Sequence, residues 1–219
     1  SIKGTHYPDE YVIISGHLDA YDVATGGVDC GTGIAPMMEA ARLIALSGAK
    51  PKRTILFVGF AGEEFGLLGA KAFCERHKDK LGKIANLFNR DGGPTPPVGI
   101  SVPKAMYDDF VEICKPIKEI NPEYPFEVTV AQPRKKPTTM GGTDASVFAV
   151  KGVPTYGFRE QDFKGYNFNY GEIWHTERDL YTKSIPEYME HTSVVTAIVA
   201  LGVANLKHQL SREGMYTDQ

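Results

Sequence analysis

Short, unbroken apolar runs rich in β-branched residues alternate along this chain with longer stretches whose apolar positions recur every three or four residues. "YVIISGH" (11–17) predicts a buried strand, and "IAPMMEAARLIALS" (34–47) predicts a helix. "TILFVGF" (54–60), entered through the basic turn "KPKR", predicts a second buried strand. "EFGLLGAKAFCERHKDK" (64–80) resumes a helical pattern and ends in cations, as the helix dipole favours. "IANLFNRD" (84–91) predicts a third strand. "KAMYDDFVEICKPIKEI" (104–120) predicts a helix kinked or interrupted at Pro116, because a proline ring removes one backbone donor and crowds the preceding turn. "FEVTVAQ" (126–132) reads as a strand near an edge, "GGTDASVFAVKG" (141–152) as a short helix after a glycine turn, and "VPTYGF" (153–158) as a short buried strand. A closing helix is predicted over 186–209. This β, α, β, α order predicts an α/β sheet with helices on both faces, an architecture in which functional residues gather at the carboxyl ends of the strands.

Two stretches lack a clear period. "NPEYPFEVTVAQPRKKPTT" (121–139), rich in proline and lysine, reads as an exposed excursion; "FREQDFKGYNFNYGEIWH" (158–175), aromatic and glycine-containing, reads as a loop able to wall a pocket. Composition then narrows the picture. The 219 residues are 42% hydrophobic and 23% charged, which suits one globular domain with a sizeable core. A net charge of −3 without a basic stripe gives no electrostatic case for nucleic acid. No apolar run reaches the roughly 20 residues that cross a bilayer, so no membrane span is expected. Cys30, Cys74 and Cys114 include no CxxC pair, which points to neither a complete disulfide framework nor a thiolate zinc site.

The candidate chemistry lies where the strands end. In "GHLDAYDVATGGVDCGTG", His17 and Asp19 are two apart and would share one side of an extended chain, so one could hold a cation while the other orients it. Taken singly, these residues also suit a capped strand end, Asp29 suits a helix N-cap, Asp91 in "NRDGG" a turn, and His175 in "IWHTERD" an ordinary loop. Their joint placement alters that balance. His17, the pair Glu63 and Glu64, and Asp91 each follow a different predicted strand, with Asp29 and His175 in adjoining loops. Four carboxylates on one rim would repel one another without cations. A two-metal centre accounts for the cluster, and two histidines with carboxylates suit zinc, with manganese or cobalt as substitutes. Of the adjacent glutamates, one can bind metal while the other moves protons.

In order, "SGHLDAYDV", "GVDCGTG", "AGEEFGLLGA", "NRDGG", "GGTDASVF" and "WHTERD" resemble the motifs of the co-catalytic zinc exopeptidases, a family that includes bacterial leucyl aminopeptidases and, as the nearest branch, carboxypeptidase Q. The resemblance implies a mixed, mostly parallel central sheet flanked by helices. It implies that residues 1–219 form a single catalytic domain, the carboxyl-terminal part of a longer chain. It further implies two zincs bridged by Asp29, with His17 and Asp91 completing one site and Glu64 and His175 the other. Glu63 would be the general base, Asp19 the partner of His17, and Tyr170 a donor to the developing oxyanion. Asp144, Arg159 and Arg134 are candidates for holding a substrate terminus. Cys30 stands where the family usually has a second aspartate, often after a cis peptide bond, and reads as a small buried hydrophobe or a thiol that tunes the site.

The expected activity is hydrolysis of terminal bonds in peptides or dipeptides, with a periplasmic or secreted location implied by the relatives. "HTERD" is nearer the aminopeptidase form of its motif, which leaves the aminopeptidase and carboxypeptidase preferences open. The rival readings are a single-zinc glutaminyl cyclase and a non-catalytic binding relative. An exposed sheet edge would leave pairing between copies open.

Overall fold

The computed structural model describes residues 1–217. β1 (Tyr7–His17) is the middle strand of a parallel sheet, with β2 (Arg53–Phe60) on one side and β3 (Ile84–Asn89) on the other. Its apolar run alternates between two cores, as a strand buried on both faces must. Val12 and Ile14 point into one core with α1 (Gly31–Leu46) and α5 (Pro186–Asn205); Ile13 points into the other with α2 (Leu68–Arg76) and α4 (Ala145–Val150). The helices therefore cover both faces of an α/β sheet that is mostly parallel.

A second sheet has the order β5 (Glu127–Val130), β4 (Pro97–Val102), β6 (Phe158–Glu160), with β4 parallel to β5 and antiparallel to β6. "VPTYGF" does not form the buried strand its composition predicts; only Phe158 begins one. The stretch runs beside β3, where Leu87 N–H donates to Pro154 O and the Asn86 side chain takes over the pairing. Asn86 Oδ1 accepts from Tyr156 N–H and its Nδ2 donates to Tyr156 O, each at 3.0 Å. A side-chain amide thus replaces two ladder bonds and joins the sheets.

Three further boundaries depart from the pattern. β4, buried along most of its length, has no counterpart in the predicted elements. α3 (Lys104–Ile120) runs through Pro116 without interruption. α2 begins at Leu68, not at Glu64: residues 62–67 form a compact turn in which Gly66 and Leu67 N–H both donate to Glu63 O at 2.9 Å, and Leu67 takes a left-handed φ of 60°. Glycine at 62 and 66 supplies the other positive φ values this turn requires. The outer edge of β2 carries a single antiparallel bridge, Ile2 to Ile55, among the described residues. No helix among them is long and apolar enough to cross a membrane.

In the core against α5, His191 is 2% exposed, stacks on Tyr124 and takes a 2.8 Å hydrogen bond from the Asn121 amide at Nδ1. Burial pushes its pKa down to about 4. The unfolded chain therefore binds the proton first as pH falls below about 6.5. Stability contributed by neutral His191 should be complete above that value and decline progressively toward pH 4, by about 3 kcal/mol in all. Thermal unfolding across pH 4–7.5 checks this. The slope should be shallower for His191→Gln, and equal slopes would rule the effect out.

Candidate metal centre

β1 ends at His17, which is 2% exposed and directs Nε2 to Asp29 Oδ1 at 3.0 Å and Asp91 Oδ1 at 3.3 Å. Asp91 follows β3 and Asp29 precedes α1, so the parallel register brings three separate chain segments to one rim. Its position is secured by the neighbouring Arg90, whose guanidinium donates to Thr32 O, Gly93 O, Thr95 O and Glu160 Oε1 and so ties down the loop after β3. Tyr170 Oη donates to Asp29 Oδ2 at 2.8 Å. The two oxygens of Asp29 therefore have different partners, His17 and Tyr170. On the far side, His175 Nε2 lies 2.9 Å from Glu64 Oε2, its ring stacked on Tyr21 with centroids 4.1 Å apart.

The ligand atoms of His17, Asp29 and Glu64 lie within 4.8 Å of one another, as do those of His17, Cys30 and Asp91. All five residues expected to hold metal are thus in one connected cluster. Glu64 Oε1 is buried and has no hydrogen-bond partner among the described residues. A buried carboxylate oxygen without a partner is costly. A divalent cation would satisfy it, and imidazole with carboxylate oxygens is a donor set that zinc accepts.

The electrostatics match such crowding. Burial works against charge on His17, but its contacts with Asp29 and Asp91 outweigh burial and hold the imidazolium well above its ordinary pKa. Burial likewise opposes ionisation of Asp29, yet His17 and Tyr170 bring its carboxyl below the usual value. Burial and the charge of Asp29 push Glu64 up. Glu63, raised by burial and then by Asp91, reaches about 7.

Asp19 does more than accompany His17. The carboxylate-to-imidazole approach is long, 3.8 Å from Asp19 Oδ1 to Nδ1; Nδ1 instead meets the backbone oxygen of Asp19 at 2.9 Å. Its carboxylate accepts the N–H groups of Glu63 and Glu64, each at 3.1 Å. One residue orients both the imidazole and the glutamate turn.

Asp179, within the "HTERD" motif but with no role readable from sequence, holds the loop before α1. It is 0% exposed and accepts Val28 N–H at 2.6 Å and Asp29 N–H at 3.2 Å, while its backbone oxygen accepts from Thr25 Oγ1 at 2.6 Å. Gly27 lies so close that a Cβ there would come within 2.0 Å of Tyr181 N. Asp179→Ala should leave two buried N–H groups without partners and destabilise the fold by about 2–5 kcal/mol. It should also weaken metal retention by loosening Asp29. Denaturant unfolding and metal content of the same sample check both effects.

Asp144 and Arg159 do not line the cavity beside this cluster. Asp144 stands at the N-cap position, just before α4, without making a side-chain capping bond, is 0% exposed, and has neither carboxylate oxygen partnered among the described residues. Burial pushes it up to about 7, near His17, Asp91 and Asp19. Arg159 is on β6, with Nη2 3.3 Å from Glu127 O, and Arg134 reaches Thr155 Oγ1 at 3.5 Å. Cys30 is buried, its Sγ donating to Arg90 O at 3.1 Å, and the Asp29–Cys30 peptide bond is cis. All three cysteines are free. The cavity itself measures about 580 Å³ and is lined by Asp29, Glu63, Glu64, Asp91, Tyr170 and His175, with Leu67, Lys71, Met140, Trp174 and four glycines completing its wall.

An α/β sheet that gathers histidines and carboxylates on its carboxyl-terminal rim belongs to the class of folds that can hold metal ions there. Residues 1–199 match peptidase family M28, and the chain belongs to that family. Carboxypeptidase Q of Mus musculus is 33% identical over 211 residues, covering 96% of this chain and 42% of that protein. The chain thus spans less than half the length of this relative. The crystal structure of a peptidase M28 precursor from Shewanella amazonensis superposes with a TM-score of 0.78 at 31% identity, over 96% of this chain and 45% of that one. A zinc aminopeptidase from Bacillus subtilis shares the fold, with a TM-score of 0.69 at 18% identity over 98% of this chain and 51% of that one.

Proposed function

We propose that this chain carries the catalytic centre of a zinc-dependent exopeptidase that cleaves terminal bonds of peptides or dipeptides. The observation that carries the proposal is the continuous cluster Asp91, His17, Asp29, Glu64, His175, with a buried, unpartnered oxygen on Glu64. His17 and Asp91 would hold one zinc, Glu64 and His175 a second, and Asp29 would serve both. Bound zinc supplies Lewis acidity, which acidifies water and polarises a peptide carbonyl.

The chain's own residues do the rest. Glu63, with a pKa near 7, accepts a proton from the attacking water and, as a carboxylic acid, returns it to the departing amine. The Asp19 carboxylate fixes the backbone of the glutamate turn so that Glu63 and Glu64 keep distinct tasks. Tyr170 Oη, poised above Asp29, is within the cavity to donate to an oxygen that gains negative charge. Peptidase relatives and five clustered ligand residues favour this reading over a single-zinc cyclase. We extend the proposal to a periplasmic or secreted location, as the resemblance implies.

The test is hydrolysis of leucyl-p-nitroanilide, leucyl-alanine and an N-blocked dipeptide by the zinc-loaded chain. Cleavage abolished by a chelator and restored by zinc supports the proposal, and the preferred substrate separates aminopeptidase from dipeptidase or carboxypeptidase action. A zinc-loaded, folded chain that cleaves none of them overturns it.

A further inference from the structure

Cations scattered along the sequence meet at the end of the first sheet where its strands begin, the pole opposite the metal centre. The Arg212 guanidinium joins them: it donates to Gly82 O at 3.1 Å, to the carbonyl of Ile84, the first residue of β3, at 3.3 Å, and to Gly152 O at 3.2 Å. Lys83 and Lys151 are the chain neighbours of Gly82 and Gly152, and Lys83 N–H donates to Lys80 O in a short turn. Lys136 Nζ lies 3.7 Å from the point where a Cβ on Gly152 would stand. All of these cationic residues are exposed, and none makes an ion pair among the described residues. Lysines elsewhere do: Lys78 with Glu75, Lys115 with Glu112, Lys164 with Glu187. Even Asp79 and Glu213, next in sequence to Lys80 and Arg212, form no pair with them.

Helix dipoles account for part of this concentration. α2 and α4 start near the metal-centre rim and run toward this pole, and cations are favoured at helix carboxyl ends. Lys83, Lys136 and Arg212 belong to neither helix. Like charges gathered without partners repel one another, and an anionic surface laid against them removes that cost. The chain as a whole is acidic, with a net charge of −3, so this basic pole exists only in the fold.

We infer that this pole docks the protein on an anionic lipid surface, with the metal-centre cleft turned toward solution. Apart from Arg212 the cations are lysines, flexible point charges suited to mobile headgroups and not to the bidentate grip of a fixed carboxylate array. Lys80 also borders an apolar pocket of about 320 Å³ lined by Tyr11, Leu56, Val58 and Phe73. A cation beside an apolar recess matches an amphiphile, whose headgroup and hydrocarbon lie next to each other, better than it matches an acidic protein. Attachment of this kind is independent of what the cleft hydrolyses, and it needs no membrane-spanning helix.

Cosedimentation of the whole chain with lipid vesicles is the test. The chain should bind vesicles of mixed phosphatidylglycerol and phosphatidylcholine at low salt, leave them at high salt, and ignore pure phosphatidylcholine. Lys83→Gln combined with Lys151→Gln should weaken binding roughly 25-fold, about fivefold for each charge removed. Lys83→Arg combined with Lys151→Arg should keep the parent affinity. Lys104→Gln combined with Lys118→Gln, an equal change of net charge placed on α3, should leave binding as it is. Equal weakening by the two glutamine pairs would show an effect of net charge alone and overturn the inference. Failure of the parent to bind the anionic vesicles, or binding that persists at high salt, overturns it too. Capture by soluble polyglutamate without binding to vesicles would assign the pole to an acidic protein and not to lipid.

Discussion

Glu63→Gln should lower kcat by about 10²–10⁴-fold while the zinc content of the protein stays the same. The amide keeps the size and the backbone contacts of the turn, since Asp19 grips the N–H of residue 63 and not its side chain. What is lost is the ability to take and return a proton, equivalent to about 3–5 kcal/mol of transition-state stabilisation. The pH profile supplies a second signature. A carboxylate base works only when ionised, and burial together with Asp91 raises Glu63 to about 7. Activity of the unsubstituted protein should therefore rise with pH through the neutral region, and the residual activity of Glu63→Gln should lack that rise. Steady-state rates across pH 5–9 with zinc analysis of the same samples decide it; a variant within tenfold of the parent would remove Glu63 from the chemistry.

Asp29→Ala should have the largest effect on metal. Asp29 Oδ1 meets His17, and the ligand atoms of Asp29, His17 and Glu64 lie within 4.8 Å of one another, so the His17–Asp91 and Glu64–His175 pairs meet at this carboxylate. Its removal leaves His17 with Asp91 on one side and Glu64 with His175 on the other, each pair short of ligands for zinc. Zinc per chain, after loading and removal of excess, should fall from two to nearly none. The stabilisation that zinc confers on the folded chain, about 4 kcal/mol at a free concentration a thousand times the dissociation constant, should vanish with it. One zinc per parent chain would favour a cyclase-like centre. A folded parent chain without zinc would refute the metal reading.

Much of this was open to reading because the first three strands are apolar on both faces, and their ends name the site. His17, Glu63, Glu64 and Asp91 fall directly after such runs, so the rim can be drawn before any packing is known. β4 is hidden by its own sequence: "PVGISV" follows a cluster of glycine and proline and carries a glycine itself, which masks a strand that tertiary contacts bury. Pro116 is compatible with a continuous α3, where context overrides the local penalty. The start of α2 is signalled by Gly62 and Gly66, which mark a turn more strongly than the apolar spacing marks a helix.

The positioning residues are harder to see. Asp179 acts on a loop some 150 positions earlier, and a solitary acidic residue in a polar motif carries no sign of that. Asn86 has a signal, a polar residue within a buried run, because such a side chain must find partners. Asp144 and Arg159 illustrate the converse: their charge suggests a substrate contact, but one is enclosed, the other lies on β6, and neither lines the cavity beside the cluster.

The grip of Asp179 on the loop carrying Asp29 has a bearing on how the protein matures. The loop that supplies the earliest carboxylate of the cluster takes its backbone grip at Val28 and Asp29 from a segment made much later, and His175 comes from that same segment. A chain emerging in order thus holds fragments of a coordination sphere, never a whole one, until the late segment has docked. Cation capture becomes a final inspection of the finished fold, so that stray metal has little hold on a half-built molecule.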